Sequence, residues 1–275
     1  MYEFDYHRPA NIDAAAAFLR DNEDAKLGAG GQTLIPTLRQ RLAMPSDLVD
    51  IARLDDLKGM TEAGDTLLIG ASVTHAEVAS AAAVKRAIPA LAYLAEQIGD
   101  PMVRHRGTLG GSIANNDPAA DYPAAVLGLG ATVHTHQREI AADDFFRGMF
   151  ETALNADEII TKVSFPKPQA AGYAKFPNPA SRYATVGVFV AQTGVGPRVA
   201  VTGAGPCVFR LPEFEAALGK SFDEEALAGL SVPADGLNSD MHASAEYRAH
   251  LVTVMAKRAV RMATRPHGRG APVGA

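Results

Sequence analysis

Two glycine-rich segments carry the densest chemical information in this 275-residue chain: Gly28-Ala29-Gly30-Gly31-Gln32-Thr33 and Thr108-Leu109-Gly110-Gly111-Ser112-Ile113-Ala114-Asn115. Each places several peptide N–H groups free of a Cβ next to a small hydroxyl. Consecutive N–H groups of that kind curl into a concave nest for an anion, and Thr33, Thr108 and Ser112 add the donors that a dinucleotide diphosphate and its sugar-alcohol oxygens require. One such loop is equally a tight strand-to-helix turn. Two in one chain point to a single long ligand.

The nearest rival is a Rossmann fingerprint, because Gly28-x-Gly30 is followed about 20 residues on by Asp50, where a ribose-binding acid would stand. Two details oppose it. Thr33 occupies the place of the third glycine, and Pro36 would disrupt a long helix starting at the loop. A P-loop is excluded because neither segment is followed by Gly-Lys-Ser or Gly-Lys-Thr. There is no Gly-x-Ser-x-Gly elbow, no recognisable Ser-His-Asp or Cys-His signature and no His-Glu-x-x-His zinc motif. His134 and His136 share one face of a predicted strand but lack further obvious ligands, so no metal is expected. The single cysteine, Cys207, excludes an internal disulfide and a thiolate-held cluster within this chain, and its apolar surroundings read as structural.

The elements that must position the loops follow from caps and periodicity. Asn11 caps a helix whose apolar face holds Ile12, Ala16 and Leu19, and residues 26–27 lead into the first loop. Pro36, tolerated in a first turn, predicts a short helix over 36–42 with its positive end near the phosphate. Strands are expected at 48–51 and 66–70. Thr74-His75-Ala76-Glu77 has capping-box spacing, which gives His75 a structural explanation. A longer helix through Val84, Ile88, Leu91, Ala95 and Ile98 then delivers the chain by way of Asp100-Pro101 to the second loop. Beyond the turn-rich residues 117–123 come a small-residue helix over 124–131 and strands at 131–136, 159–165, 173–176, 185–191 and 198–202. Connections too short for crossover helices make the last strands antiparallel. An amphipathic helix over 244–262 precedes a tail, 266–275, that reads as frayed. The change of texture at 166–172 marks the boundary between two domains, 1–168 and 169–275, the first divisible into about 1–55 and 56–168.

Composition narrows the class. With 47% hydrophobic and 21% charged residues the chain can bury a sizeable core, and a net charge of −5 offers no basic stripe for nucleic acid. The start, Met1-Tyr2-Glu3-Phe4-Asp5, has no charged segment followed by an apolar run, and no window is long and apolar enough for a bilayer. A cytoplasmic location without a membrane span is the expectation.

Four motifs in order resemble the FAD-binding medium subunit of molybdenum hydroxylases, the family of carbon monoxide dehydrogenase flavoproteins and the flavin domain of xanthine dehydrogenase. They are Ala29-Gly30-Gly31-Gln32-Thr33-Leu34-Ile35-Pro36, Ile69-Gly70-Ala71 with Thr74-His75, residues 108–115, and Ala119-Ala120-Asp121-Tyr122-Pro123. The resemblance spans nearly the whole chain. It implies an α+β fold, with a two-subdomain FAD-binding domain of the vanillyl-alcohol-oxidase/PCMH-like type followed by a smaller α+β domain with an antiparallel sheet.

By that likeness Leu27, Gly28, Ala29, Gly30, Gly31, Gln32, Thr33 and Leu34 wrap the diphosphate. Thr108, Gly110, Gly111, Ser112 and Asn115 hold its second side and the ribityl chain, and Asp121 accepts a hydrogen bond from a cofactor hydroxyl. Asp121 has a bland rival as an Asx turn before Pro123. Ile98 and Ile160 match positions near the flavin ring, with ordinary core packing as their alternative, and Lys175 matches a basic residue at the ring edge, with a solvated strand position as its own. Residues 177–183, Pro-Asn-Pro-Ala-Ser-Arg-Tyr, depart from the family, which commonly has a basic pair and then an aspartate.

The implied role is electron transfer. An iron–sulfur small subunit would feed FAD, a molybdenum-binding large subunit would oxidise the substrate, and an external acceptor would take the electrons, within a heterotrimer or its dimer. The molybdenum cofactor and clusters are expected only in those partners. A self-sufficient flavin- or nicotinamide-dependent oxidoreductase is the alternative, and a colourless assembly module a third reading. The substrate and acceptor are not written in this chain.

Overall fold

A computed structural model describes residues 1–264. The expectation for the tail 266–275 lies outside the described residues.

The first region runs β1 (Asp5–His7), α1 (Ile12–Asp21), β2 (Lys26–Gly28), α2 (Leu34–Arg39) and β3 (Asp47–Asp50). Its sheet has the order β1-β3-β2 with both pairs parallel, as helical crossovers require. Asn11 caps α1, its side chain accepting from the Ala14 N–H, and Ala15, Ala16 and Leu19 form the buried face. The helix after the first loop begins two residues earlier than the expected 36 and stops at Arg39. Pro36 sits in the first turn, where a missing N–H costs nothing, and Arg41 turns left-handed at φ 60°.

The second region holds β4 (Met60–Ala63), β5 (Thr66–Gly70), α3 (His75–Ser80), α4 (Ala82–Ala87), α5 (Pro89–Glu96), α6 (Pro101–Arg104), α7 (Leu109–Asn115) and α8 (Tyr122–Gly128). It continues with β6 (Thr132–Thr135), β7 (Glu139–Ala141), α9 (Ala142–Phe145), the β8 (Phe146–Gly148) and β9 (Glu151–Thr152) hairpin, and β10 (Ile160–Pro166). An antiparallel sheet, β4-β5-β10-β6-β7, takes the last strand of the region into its centre. The capping box forms as read, with Thr74 and Glu77 bonding reciprocally. The single helix expected through residues 84–98 is instead two, because Pro89 lacks the N–H that would continue the ladder and pushes Ile88 to φ −144°, ψ 76°. The small-residue helix starts at Tyr122 rather than 124, with Pro123 in its first turn.

The third region is a meander of β11 (Ala170–Pro177), β12 (Ala184–Thr193), β13 (Gly196–Thr202) and β14 (Phe209–Arg210), antiparallel throughout, with α10 (Pro212–Leu218) and α11 (Ala245–Thr264). Both faces of this sheet are covered, so β12 reads as a near-continuous apolar run. Val186, Val188 and Val190 face a core shared with Val252, Met255 and Val260 of α11. Tyr173, Phe189, Ala191 and Ala200 face the other way and join the core of the first two regions. No helix of the described residues is long and apolar enough to cross a membrane.

Candidate cofactor-binding site

Both glycine loops line one cavity of about 730 Å³, inside the range of roughly 300–1,000 Å³ for small-molecule and cofactor sites. Of the residues the sequence nominated, Leu27, Ala29, Gly30, Gly31, Gln32, Thr33, Leu34, Ile98, Thr108, Gly110, Gly111, Ser112, Asn115, Asp121 and Ile160 all stand in its wall. Gly28 and Lys175 do not. Gly28 ends β2 with its Cα turned to Leu48, between the wall residues Leu27 and Ala29.

The first loop has the free donors of an anion nest. Among the described residues, the N–H groups of Gly30, Gly31, Gln32, Thr33 and Leu34 find no acceptor in the chain, and neither does the Thr33 hydroxyl. They cluster at the start of α2, where the helix end adds positive potential. Two glycines make this geometry possible. Gly31 adopts φ 72°, the left-handed region that side chains resist, and a Cβ on Gly30 would lie 2.0 Å from the Arg106 carbonyl oxygen. The loops therefore touch each other backbone to backbone.

The second loop works differently from the nest that its glycines suggested. Thr108 caps α7, and the N–H of Gly111 donates to its Oγ1 at 3.2 Å, while the N–H groups of Leu109 and Gly110 donate to Val73 and Ala71 carbonyls at 3.0 and 2.8 Å. Its main-chain donors are spent on caps and on tying α7 to the turn after β5. What it presents to the cavity is side chains: the Ser112 hydroxyl and the Asn115 amide have no protein partner among the described residues. The physical reason lies in the flanking turn, whose carbonyls are unseen in a motif.

Asp121 sits on the cavity wall at 4% exposure, and its carboxylate is already engaged. Tyr173 donates its hydroxyl to Oδ1, and the Lys175 ammonium lies 2.9 Å from Oδ1 and 3.0 Å from Oδ2 while also donating to the Gln97 carbonyl at 3.0 Å. Burial pushes the Asp121 carboxyl up, and Lys175 and Tyr173 pull it back. Lys175 is thus neither a solvated strand residue nor a free cation at a ring edge: its side chain is 5% exposed and closed behind Asp121.

Several further wall residues are not among the cofactor contacts that the sequence nominated. Glu158, with a fully buried side chain, is gripped by Arg138 at 2.9 Å through both oxygens, by Thr135 at 2.7 Å and by the Asn155 N–H at 3.0 Å. The Arg138 guanidinium foremost, against the opposing effect of burial, brings its carboxyl down to about 2. Ser181, Arg182 and Tyr183, from the stretch that departs from the family pattern, also reach the wall. Ser72 Oγ and His75 Nδ1 are buried there with no partner among the described residues, a condition that native proteins relieve with a ligand or water. Burial, then the nearby Arg104 charge, depress His75 to about 4, so its ring is neutral at pH 7. Open amides at one loop, unpartnered polar side chains at the other and orphaned polar atoms between them fit a long polar cofactor such as FAD. The chemistry of the donors suits a diphosphate.

The rivals have other occupations. Asp50 accepts from the Tyr6 hydroxyl and from the Ala52 N–H at 2.9 Å, and it stays outside the cavity wall. His134 bonds Ser164 at 2.7 Å, and His136 Nδ1 accepts from the Ile159 N–H at 3.2 Å.

Comparison with known proteins gives consistent matches. The family described as "FAD binding domain in molybdopterin dehydrogenase" matches residues 2–168, and "CO dehydrogenase flavoprotein C-terminal domain" matches residues 172–263. The nicotine 6-hydroxylase medium subunit of Paenarthrobacter nicotinovorans is 38% identical over 93% of this chain and 95% of its own. The carbon monoxide dehydrogenase medium chain of Hydrogenophaga pseudoflava is 34% identical over 94% and 96%. Among solved structures, the CO dehydrogenase of Oligotropha carboxidovorans superposes with a TM-score of 0.87 at 32% identity, covering 95% of this chain and 98% of that one.

Proposed function

Because this chain belongs to the family of FAD-binding medium subunits of molybdenum hydroxylases, we propose that its cavity holds FAD, the diphosphate seated on residues 30–34 and flanked by Ser112 and Asn115. The protein is the flavin component of a molybdenum-containing dehydrogenase or hydroxylase complex. The observation that carries the seat is the run of five unpartnered N–H groups inside a wall shared with the second loop.

FAD, when bound, supplies the electron-accepting and electron-donating chemistry. The chain's own residues bind and orient it. Leu27 and Leu34 support the nest, Ile98 and Ile160 offer apolar contact to the ring, and Asp121 turns a carboxylate toward a cofactor hydroxyl. Lys175 acts behind Asp121. Residues 181–183 border the wall where an acceptor would approach. In the same reading the unit of 1–168 is the cofactor domain, of the vanillyl-alcohol-oxidase/PCMH-like type with subdomains 1–55 and 56–168, and 169–275 closes one side. An iron–sulfur small subunit delivers electrons from a molybdenum-binding large subunit, in a cytoplasmic heterotrimer or its dimer, and an external acceptor removes them.

The test is the flavin content of the purified chain or complex, released by heat and identified by mass. FAD near one equivalent is expected, with loss in Gly31→Val and Gly111→Val, the first through its left-handed φ and the second because a Cβ meets the Thr108 Oγ1 cap at 2.9 Å. Full FAD content in both variants overturns this seat.

A further inference from the structure

The turn that bears Asp121 belongs to the second region but is held almost wholly by the third. Thr202 Oγ1 donates to the Ala120 carbonyl at 2.6 Å and approaches that of Pro118 at 3.0 Å, the Gly203 N–H donates to Pro118 at 2.8 Å, and the Ala184 N–H to Ala119 at 3.2 Å. Tyr173 and Lys175 complete the grip. Two residues apart on β11, they project from the same face of the sheet, toward α5 and α8, while Ala174 between them turns to the core under α11.

We propose that Tyr173 and Lys175 are positioning residues for the cofactor, orienting and charge-compensating the Asp121 carboxylate on the cavity wall, so that flavin affinity in the N-terminal domain depends on the seating of the C-terminal sheet. This rests on the reading of the cavity as an FAD site. The geometry supports action through Asp121 rather than by contact: the Tyr173 hydroxyl is packed so closely that a Cβ on Gly187 would lie 2.5 Å away, and neither Tyr173 nor Lys175 is part of the wall. A carboxylate with two fixed donors behind it has its remaining lone pairs directed elsewhere, and a cofactor hydroxyl can use them without reorganising the protein. Without those donors a buried carboxylate turns toward whatever proton or donor it can find.

The experiment is titration of the full apo chain with FAD, followed by flavin fluorescence, for the wild type, Tyr173→Phe, Lys175→Met and Asp121→Asn, and for the first two changes repeated in the Asp121→Asn background. Tyr173→Phe removes one hydrogen bond and keeps the ring. A weakening of about fivefold is expected from it, and of about tenfold or more from Lys175→Met, which removes a charged one. In the Asp121→Asn background both further losses shrink to within twofold. If Lys175→Met does not fold, Tyr173→Phe carries the cycle. Equal losses in both backgrounds, or folded variants that bind FAD like the wild type, overturn the proposal. A wild-type chain that takes up no FAD defeats the cavity reading itself, an outcome separate from either.

Discussion

Replacing Gly30 by alanine adds one methyl group at the point where the two loops meet. The new Cβ would stand 2.0 Å from the Arg106 carbonyl oxygen, 2.7 Å from its carbon and 2.8 Å from the Gly107 Cα. All three neighbours are main chain, so no rotamer change relieves the clash. Reaching ordinary contact at 3.4 Å from 2.0 Å requires the loops to part by 1.4 Å. Overpacking of this kind costs about 1–3 kcal/mol. If the loops must close again to grip one cofactor, that cost falls on binding, and at about 1.4 kcal/mol per decade it weakens FAD by roughly 5- to 150-fold. Gly28→Ala is the matched control, because its Cβ meets only the Leu48 side chain, at 3.3 Å, outside the wall. The assay is the FAD dissociation constant of each variant with the unfolding temperature of its apo form. A Gly30→Ala protein that binds FAD within twofold of the wild type would refute both the loop contact and its part in the site.

Arg138→Ala is expected to lower the urea midpoint of unfolding, because it leaves the Glu158 carboxylate without its principal partner, and 46% exposure of Arg138 lets water soften the loss. Since Glu158 titrates near 2 when folded, below its ordinary range, the stability it contributes is whole above about pH 4.5 and disappears as pH falls toward 2. Arg138→Ala should flatten that slope. His75 runs through a higher window: its folded pKa of about 4 lies below the usual 6.5, so protonation favours the unfolded chain, and stability declines as pH drops from 6.5 to 4. His75→Gln should remove the decline, and unfolding midpoints measured at half-unit pH steps would contradict the assignment if the variant and the wild type fall in parallel.

Local chemistry was legible in the sequence, and contact across the chain was not. Asn11, the Thr74–Glu77 box and the antiparallel meander follow from neighbours a few residues apart, and each forms. Pro89 was equally visible, yet the apolar spacing on either side of it masked the break at Ile88. Both glycine clusters line one cavity, but only the folded turn at residues 71–73 shows that its carbonyls consume two amides of the second loop. Lys175 has no sequence neighbour to betray its partner: Asp121 lies 54 residues away, and their pairing exists only once β11 packs beside α5 and the turn that precedes α8. Arg182 and Tyr183 stand out in the sequence only within the stretch that departs from the family; their place in the wall follows from the fold, because a wall residue contributed by a distant loop leaves no periodicity.

In the proposed seat the donors for the diphosphate are mostly peptide groups, which every residue except proline possesses. Such a surface inherits its affinity from the path of the main chain, and side chains around it can drift through evolution with little penalty. The sensitive positions shrink to the few where a β-carbon has no room. That leaves the periphery free to be refitted for new subunit companions while the seat itself goes unaltered.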